Sequence, residues 1–196
     1  MYRINEIFYS LQGEGRHTGR PAVFVRFSGC NLRCPFCDTD FSGYTLMSAD
    51  EIMTKLHQWA ACRFVVITGG EPSLQIDDAL VGRLHQAGYY VAIETNGTHA
   101  LPDAIDWVTW SPKDQFAPNV PPLALTRINE VKVVFDGAHD PAPYLQQAPD
   151  AYACLQPCDT GDVALNQQIT TQCVDYILQH PQWHLSLQTH KLLNIQ

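Results

Sequence analysis

Residues 63–72 read RFVVITGGEP, a short apolar run followed by a turn of two glycines, a glutamate and a proline. Such a run, rich in β-branched side chains and bounded by turn residues, is typical of a strand buried on both faces. Helical patterns lie on both sides of it. Ser48 and Glu51 form a capping box ahead of apolar residues at helical spacing, and a second helical pattern begins at Ile76 and stops at Gly88. We therefore predict a buried strand between two helices.

The pattern continues outwards as a series of short strands. An amphipathic helix is predicted from Leu165 to the residue before Pro181, whereas a scatter of prolines after residue 117 argues against long helices elsewhere in the later half. Alternating strands and helices predict right-handed parallel crossovers, and therefore an α/β sheet with reduced helices in its later half. The β-prone runs are residues 4–11, 22–27, 89–95, 107–110, 131–135 and 152–156, with a closing strand around 185–188.

Length and composition restrict the class of protein. A chain of 196 residues, 45% of them hydrophobic, favours one folded domain spanning 1–196. The formal net charge of -8, from 12 basic and 20 acidic residues, argues against a nucleic acid partner. We see no signal peptide and no apolar run of membrane-spanning length, so we expect a cytoplasmic protein with no membrane partner. The seven cysteines are then expected to be thiols or metal ligands rather than disulfides.

Polar or glycine-containing segments follow most of the predicted strands. In folds built from parallel strands, ligand sites lie outside the carboxyl ends of the strands. We therefore expect these segments to form one shared site. They are Cys30, residues 69–72, Thr95 with Asn96, residues 111–113, and Gln156 with Pro157.

Cys30, Cys34 and Cys37 place three thiols on the loop that leaves one strand. Thiolates are the protein ligands of 4Fe-4S clusters, and three of them leave one iron open to an outside ligand. A structural zinc site is an alternative, although no fourth Cys or His lies at short spacing. The thiols could also be unrelated core residues.

This spacing, with the aromatic Phe36 before the last cysteine, resembles the signature of the radical S-adenosylmethionine superfamily. Gly69, Gly70, Glu71 and Pro72 resemble the superfamily motif that holds the methionine amino group; glycines permit close backbone approach, and a carboxylate can pair with an ammonium. The resemblance implies a partial, trimmed TIM-like barrel of mainly parallel strands. It also implies a 4Fe-4S cluster and S-adenosylmethionine, which binds the open iron and is cleaved to a 5'-deoxyadenosyl radical.

Segments along almost the whole chain resemble the 7-carboxy-7-deazaguanine synthase family. Residues 4–8 and 11–15 match its N-terminal signature, and residues 187–191 match its tail. A guanidinium at Arg26 can pair with a substrate carboxylate, although a solvated charge is the default for a lone arginine. A frayed end is likewise the default for the C-terminus. The substrate contacts that the resemblance implies are Leu11, Gln12, Gly13, Arg26, Thr68 and the terminal carboxylate of Gln196.

Two further segments resemble stretches that contact S-adenosylmethionine in this family. Cys158 and Asp159 depart from the hydroxyl or apolar residues that are familiar at those positions, so their roles rest on backbone contacts. Cys62, Cys154 and Cys173 are interpreted as small buried residues. The implied cofactor contacts are Ser111, Pro112 and Lys113, and then Gln156, Pro157, Cys158 and Asp159.

Thr39 resembles the family's magnesium ligand beside the substrate. Mg²⁺ keeps waters and shares oxygen ligands with substrate, so a single protein hydroxyl is chemically reasonable. From the residue alone, a hydrogen bond to the backbone is the simpler interpretation.

The resemblance implies conversion of 6-carboxy-5,6,7,8-tetrahydropterin to 7-carboxy-7-deazaguanine with loss of ammonia, a step of queuosine precursor synthesis. The radical would take the C6 hydrogen and return it, so that S-adenosylmethionine is regenerated. A homodimer and an electron donor such as flavodoxin are also implied. An activase that installs glycyl radicals is one alternative, which Arg26, Thr39 and the C-terminal segment argue against. A non-catalytic zinc or iron-sulfur module is the other.

Overall fold

The computed structural model describes residues 1–35, 37 and 43–196, and nine strands and five α-helices lie within these ranges. The strands are β1 (Tyr2–Leu11), β2 (Pro21–Phe27), β3 (Thr45–Met47), β4 (Phe64–Gly69), β5 (Tyr90–Thr95), β6 (Trp107–Trp110), β7 (Glu130–Phe135), β8 (Tyr152–Pro157) and β9 (Trp183–Leu185). The helices are α1 (Ala49–Leu56), α2 (Asp78–Gln86), α3 (Ala142–Gln147), α4 (Val163–Gln179) and α5 (Thr189–Leu193).

All nine strands form one sheet in the order β3-β1-β2-β4-β5-β6-β7-β8-β9. β1 runs antiparallel to both of its neighbours, and from β2 through β4 to β9 every pairing is parallel. The predicted α/β fold of mainly parallel strands with reduced helices in its later half is confirmed. β3 and β9 are the two edges, so within the described residues no backbone ladder closes the sheet into a complete barrel.

The first half of the fold follows the sequence pattern closely. Ser48 Oγ accepts the backbone N–H of Glu51 at 3.2 Å, and the Glu51 carboxylate accepts the backbone N–H of Ser48 at 2.7 Å, which completes the predicted capping box of α1. Asp77 caps α2 by accepting the Leu80 N–H, so this helix begins just after Ile76. The apolar face of both helices packs on the sheet.

Two apolar clusters cover the helical side of the sheet. The first lies between α1 and α2 and strands β1 to β6, and it includes Ile52, Leu56, Leu80 and Leu84 with the buried β4 residues. The second lies between α3 and α4 and strands β7 to β9. Its members include Tyr144, Leu155, Ile169, Cys173 and Trp183. The other face of the sheet carries polar side chains such as Thr68, Glu94 and Lys132 together with the apolar Phe24 and Val134.

The turn after β1 closes the end of the sheet opposite the strand carboxyl ends. Because β1 is antiparallel, Leu11 pairs with Pro21 at the beginning of β2. The His17 ring then makes edge contacts with Phe64 and Trp107, which lie at the amino ends of β4 and β6. We call residues 11–20 the floor of the site, because they cap the amino ends of the parallel strands.

The C-terminal segment bridges the gap between the floor and β9. The backbone N–H and hydroxyl of Thr189 donate to Gly13 O at 3.1 and 2.9 Å, and Gly15 N–H donates to Ser186 Oγ at 2.9 Å. The sheet is therefore closed by turns and side chains rather than by strand pairing. The closing strand predicted around 185–188 is shifted to Trp183–Leu185, because Gln188 turns inwards and donates to Glu14 at 3.0 Å. Within the described ranges, no helix is long and apolar enough to cross a membrane.

Candidate active site

A cleft lies at the carboxyl ends of the parallel strands, as the sequence predicts. Among the residues predicted for the shared site that the structure describes, Pro72 and Pro112 are absent from its lining, whereas Thr95 and Asn96 belong to it. The predictions for Phe36 and Thr39 lie outside the described residues. The predicted residues that line the cleft are Leu11, Gln12, Gly13, Arg26, Cys30, Cys34, Cys37, Thr68, Gly69, Gly70, Glu71, Ser111, Lys113, Gln156, Pro157, Cys158, Asp159 and Gln196.

The three cysteines of the loop after β2 line the cleft. Cys30 and Cys34 are half-buried and Cys37 is exposed. Burial raises the pKa of Cys30 and of Cys34, so both are thiols until a metal displaces their protons. Within the described part of the chain, no three Cys, His, Asp or Glu side chains converge closely enough to hold a single metal ion. Three thiols on one loop can each bind one iron of a 4Fe-4S cluster.

Backbone contacts join the cysteine loop to the loop after β4. Gly70 N–H donates to Phe27 O at 3.0 Å, and Glu71 N–H donates to Gly29 O at 2.9 Å. Gly69 has φ +132, and a Cβ there would lie 2.1 Å from Phe27 O; a Cβ on Gly70 would lie 2.0 Å from Gly29 O. Only glycines permit this approach. The two loops are thus held together before any cofactor binds.

The Glu71 carboxylate is buried and fully engaged by the protein. Thr95 Oγ1 donates to it at 2.6 Å, Asn96 N–H at 2.7 Å and Ser73 N–H at 3.0 Å. The carboxylate therefore ties the end of β4 to the end of β5. A direct contact between Glu71 and the methionine ammonium stays a prediction.

A charged cluster that the sequence analysis missed lines the interior of the cleft and includes one residue of the floor. Lys132 on β7 is 4% exposed, and its Nζ lies 2.5 Å from Glu14 Oε2 and 2.6 Å from Glu94 Oε2. Burial opposes ionisation of Glu14, but the Lys132 charge and hydrogen bonds from Lys132 and Gln188 lower the pKa of Glu14 to about 2. Burial likewise opposes the charge on Lys132, yet the two carboxylates raise its pKa well above its ordinary value. Glu14 and Lys132 are therefore both charged at neutral pH.

A sequence signal for this cluster exists. Glu94 is the one charged residue of β5, and β7 carries Glu130 and Lys132 among apolar residues; a strand buried on both faces seldom carries a charge without a partner. Gln12 extends the cluster by donating to Glu94 at 2.8 Å, and Gln156 by donating to Glu14 at 3.1 Å. The predicted substrate residue Gln12 and cofactor residue Gln156 are thus joined through Glu14, Lys132 and Glu94.

Arg26 lies on the cleft face of β2 and is paired with Glu6 of β1, with Nε 2.8 Å from Oε1. The other Glu6 oxygen accepts the side-chain amide of Gln196 at 2.6 Å. The last residue of the sequence is therefore brought to the predicted carboxylate-binding arginine. Glu6 is a second site residue that the sequence analysis missed, since an acidic residue on an edge-proximal strand suggests only a solvated charge.

The two residues that depart from the family pattern also lie in the cleft. Asp159 pairs with Lys191 of α5 at 2.7 Å, and this hydrogen bond, with others from Gly161 N–H and Asn166, lowers the pKa of Asp159 to about 2. Burial raises the pKa of Cys158, which keeps this thiol protonated. Asp159 thus anchors the C-terminal helix beside the cleft, and Cys158 is a small buried wall residue.

Comparison with known proteins places the fold and the cleft in one family. A model of the Radical SAM superfamily matches residues 24–109. The chain is 55% identical to 7-carboxy-7-deazaguanine synthase of Bacteroides thetaiotaomicron over 196 residues, covering 100% of both chains. It is 44% identical to the enzyme of the same name from Bradyrhizobium diazoefficiens, covering 100% of this chain and 99% of the relative. The crystal structure of QueE from Escherichia coli superposes with a TM-score of 0.79 at 29% identity, over 95% of this chain and 93% of that one.

Proposed function

Because the chain belongs to the 7-carboxy-7-deazaguanine synthase family of radical S-adenosylmethionine enzymes, we propose that it converts 6-carboxy-5,6,7,8-tetrahydropterin to 7-carboxy-7-deazaguanine with release of ammonia. One observation supports this proposal above the others. The three thiols, the Gly-Gly-Glu-Pro loop and Arg26 line the same cleft, so a cofactor on the cluster and a carboxylate on the arginine would lie beside each other.

The site residues form groups according to the ligand that each group would bind. Cys30, Cys34 and Cys37 would bind three irons of the 4Fe-4S cluster. When bound, the cluster and S-adenosylmethionine supply the 5'-deoxyadenosyl radical that begins the reaction. The backbone of Gly69 and Gly70 offers polar groups to the methionine moiety without a side chain in the way. The remaining cofactor contacts of the proposal are Phe36, Glu71, Ser111, Pro112, Lys113, Gln156, Pro157, Cys158 and Asp159.

The substrate would lie between the cofactor and the floor. Arg26 would pair with its carboxylate, and residues Leu11, Gln12, Gly13 and Thr68 would contact its ring. The charged cluster offers fixed donors and acceptors beside this position, which favours a single orientation of a polar ring. The proposal also includes Mg²⁺ held by Thr39 beside the substrate carboxylate.

The domain organisation, the cellular location and the partners are also proposed from membership of this family. We expect residues 1–196 to act as one domain and to work as a cytoplasmic homodimer. An electron donor such as flavodoxin would reduce the cluster. No nucleic acid or membrane partner is part of the proposal, because the charge and composition offer neither surface.

Anaerobic reconstitution with iron and sulfide tests the function. The protein is then given reductant, S-adenosylmethionine, Mg²⁺ and carboxytetrahydropterin, and the products are identified by mass spectrometry. We expect 7-carboxy-7-deazaguanine and ammonia. Formation of 5'-deoxyadenosine without a deazaguanine would contradict the substrate but retain the radical chemistry, and an activase would behave in this way. Absence of both would favour a non-catalytic metal module.

Cys34→Ala tests the role of the thiols in the same assay. This variant should lose both the cluster and the product. Cys173→Ala is a matched control, since Cys173 is a buried thiol on α4 outside the cleft. Turnover by Cys34→Ala at the wild-type rate would contradict the cluster assignment.

A further inference from the structure

A β-bulge brings Glu6 opposite Arg26. Ile4 pairs with Phe27 and Glu6 pairs with Arg26, so β1 has one extra residue, Asn5, at this point. Without the extra residue, Asn5 would face Arg26 and Glu6 would lie one position further along the ladder. Bulges occur beside functional sites, where they redirect a side chain. Here the bulge brings a carboxylate to the arginine that lines the cleft.

The pairing with Glu6 uses only one part of the guanidinium. Arg26 Nε donates to Glu6 Oε1 at 2.8 Å, whereas the two terminal nitrogens make no hydrogen bond to any residue that the structure describes. The guanidinium carbon also lies 5.8 Å from the centre of the Phe8 ring. Because the guanidinium is planar and its donors form a rigid fork, fixing Nε fixes the direction of the other nitrogens. Two parallel donors thus remain for an anion in the cleft.

The second oxygen of Glu6 is used by the end of the chain. Gln196 Nε2 donates to Glu6 Oε2 at 2.6 Å, across 190 positions of sequence. The side chain of Glu6 is 35% exposed and that of Arg26 is 25% exposed, so each is reachable from the cleft yet partly shielded. Glu6 therefore holds two groups at once, the guanidinium on one oxygen and the C-terminal residue on the other.

We propose that Glu6 is the positioning residue for recognition of the substrate carboxylate: it orients the terminal nitrogens of Arg26 for bidentate binding and holds Gln196 beside them. This inference rests on the proposed function, because it takes Arg26 as the partner of that carboxylate. Glu6 itself makes no contact with the substrate. Its effect on the substrate carboxylate acts through the geometry of Arg26.

Glu6 also has an electrostatic effect on substrate binding that opposes its positioning effect. A carboxylate near the arginine also repels a substrate carboxylate, and removal of Glu6 would then strengthen binding. That repulsion acts through a solvated cleft and is strongly screened. Loss of the fixed fork weakens two charge-assisted hydrogen bonds at close range. The positioning effect should therefore prevail, and removal of Glu6 should weaken binding.

Binding of two stable pterins to the reconstituted protein with S-adenosylmethionine measures this directly. 6-Carboxypterin carries the carboxylate and pterin does not, so the ratio of their dissociation constants reports carboxylate recognition alone. We expect Glu6→Gln to weaken 6-carboxypterin binding by about tenfold, as for a compromised charge-assisted pair, with pterin unchanged. Glu6→Asp, which keeps the charge on a shorter side chain, should lie between this variant and wild type. The control is Asp175→Asn, which removes a carboxylate from the exposed face of α4.

A double variant tests whether Glu6 acts through Arg26. Glu6→Gln combined with Arg26→Gln should bind 6-carboxypterin no more weakly than Arg26→Gln alone, because the positioned group is already absent. With the true substrate, Glu6→Gln should raise KM by a similar factor and change kcat less.

The inference is overturned if Glu6→Gln binds 6-carboxypterin as tightly as wild type or more tightly, or if both pterins weaken equally. Its failure is distinct from failure of the proposed function. Product formed by wild type with unchanged discrimination in Glu6→Gln contradicts the positioning role only. Discrimination that depends on Glu6 in a protein that forms no deazaguanine contradicts the reaction only. A wild type that does not distinguish the two pterins contradicts both the role of Arg26 and this inference.

Discussion

Lys132 of β7 and Glu14 of the floor, 118 positions apart in the sequence, form an ion pair of 2.5 Å inside the barrel. Removal of one partner of a buried pair leaves the other charge without compensation, at a cost of about 3–5 kcal/mol. We expect Lys132→Ala to lower the free energy of unfolding by this amount, because Glu14 and Glu94 would both lose their counter-charge. Urea denaturation of the metal-free protein measures it.

Lys191→Ala is the matched control for that variant. Its partner is Asp159, and both side chains are about two-fifths exposed, at 40% and 41%. Exposed ion pairs contribute between 0 and about 1 kcal/mol. Equal losses for the two lysine variants would contradict the view that the interior cluster is effectively buried.

The lowered pKa of Glu14 predicts acid sensitivity. A carboxyl whose folded pKa lies below its unfolded value stabilises the fold fully above the unfolded pKa, and this contribution is lost as the pH falls through the folded pKa. For Glu14 the window runs from its ordinary value of 4.5 down to about 2. The urea midpoint of wild type should fall steeply across this window, and Glu14→Gln should show a flatter dependence.

Asp175→Asn should reproduce the wild-type curve, since it removes a carboxylate outside the interior. If Glu14→Gln and wild type lose stability in parallel between pH 4.5 and 2, Glu14 is not the group responsible.

The close approach of Gly70 to Gly29 predicts a severe effect of a single methyl group. Gly70→Ala places a Cβ 2.0 Å from a backbone oxygen that cannot move alone. Overpacking of this kind costs about 1–3 kcal/mol, and here it separates the cysteine loop from the loop after β4. We expect lower stability and weaker binding of S-adenosylmethionine, measured by denaturation and by calorimetry on the reconstituted protein.

Gly82→Ala is the control for Gly70→Ala, and it should raise the stability of the fold rather than lower it. This glycine lies within α2, and a Cβ there would meet no atom within 4 Å. Replacing a helical glycine with alanine adds up to about 1 kcal/mol of stability. Unchanged cofactor binding in Gly70→Ala would contradict the coupling between the two loops.

Cys158 lies on the cleft wall, so its exclusion from the cluster can be tested. Burial keeps the pKa of this thiol raised, and it lies on the segment after β8 rather than on the cysteine loop. Cys158→Ala should therefore retain the wild-type iron and sulfide content after reconstitution, whereas Cys30→Ala should lose it. Loss of iron from Cys158→Ala would make this residue a fourth ligand.

The sequence allowed the strand ends to be predicted because parallel pairing makes them neighbours. Gly69 of β4 and Thr95 of β5 are both recognisable as strand ends, and a parallel sheet brings such ends to one edge whatever its curvature. The capping box at Ser48 is equally local, since its two hydrogen bonds join residues three positions apart.

The interior cluster could not be predicted in the same way. Glu14, Glu94 and Lys132 meet only because the sheet curves and β1 enters antiparallel, and neither property is encoded in the few residues around each charge. Glu6 poses a similar difficulty, because a single-residue bulge determines which residue faces Arg26. The ends of α4 and β9 were misplaced by only a few residues, as expected where tertiary contacts decide the boundary.

The contacts of the floor affect the order in which parts of the fold form during synthesis. Residues 13–15 are synthesised well before their partners Ser186 and Thr189, which follow 171 and 176 positions after Gly15 and Gly13. Such contacts have a very high sequence separation, and they form only after the segment around Thr189 has been synthesised. A nascent or prematurely ended chain would carry the cysteine loop and the Gly-Gly-Glu-Pro turn without a closed interior. Synthesis of the segment that contains Ser186 and Thr189 is therefore the step that closes the interior behind the three cysteines.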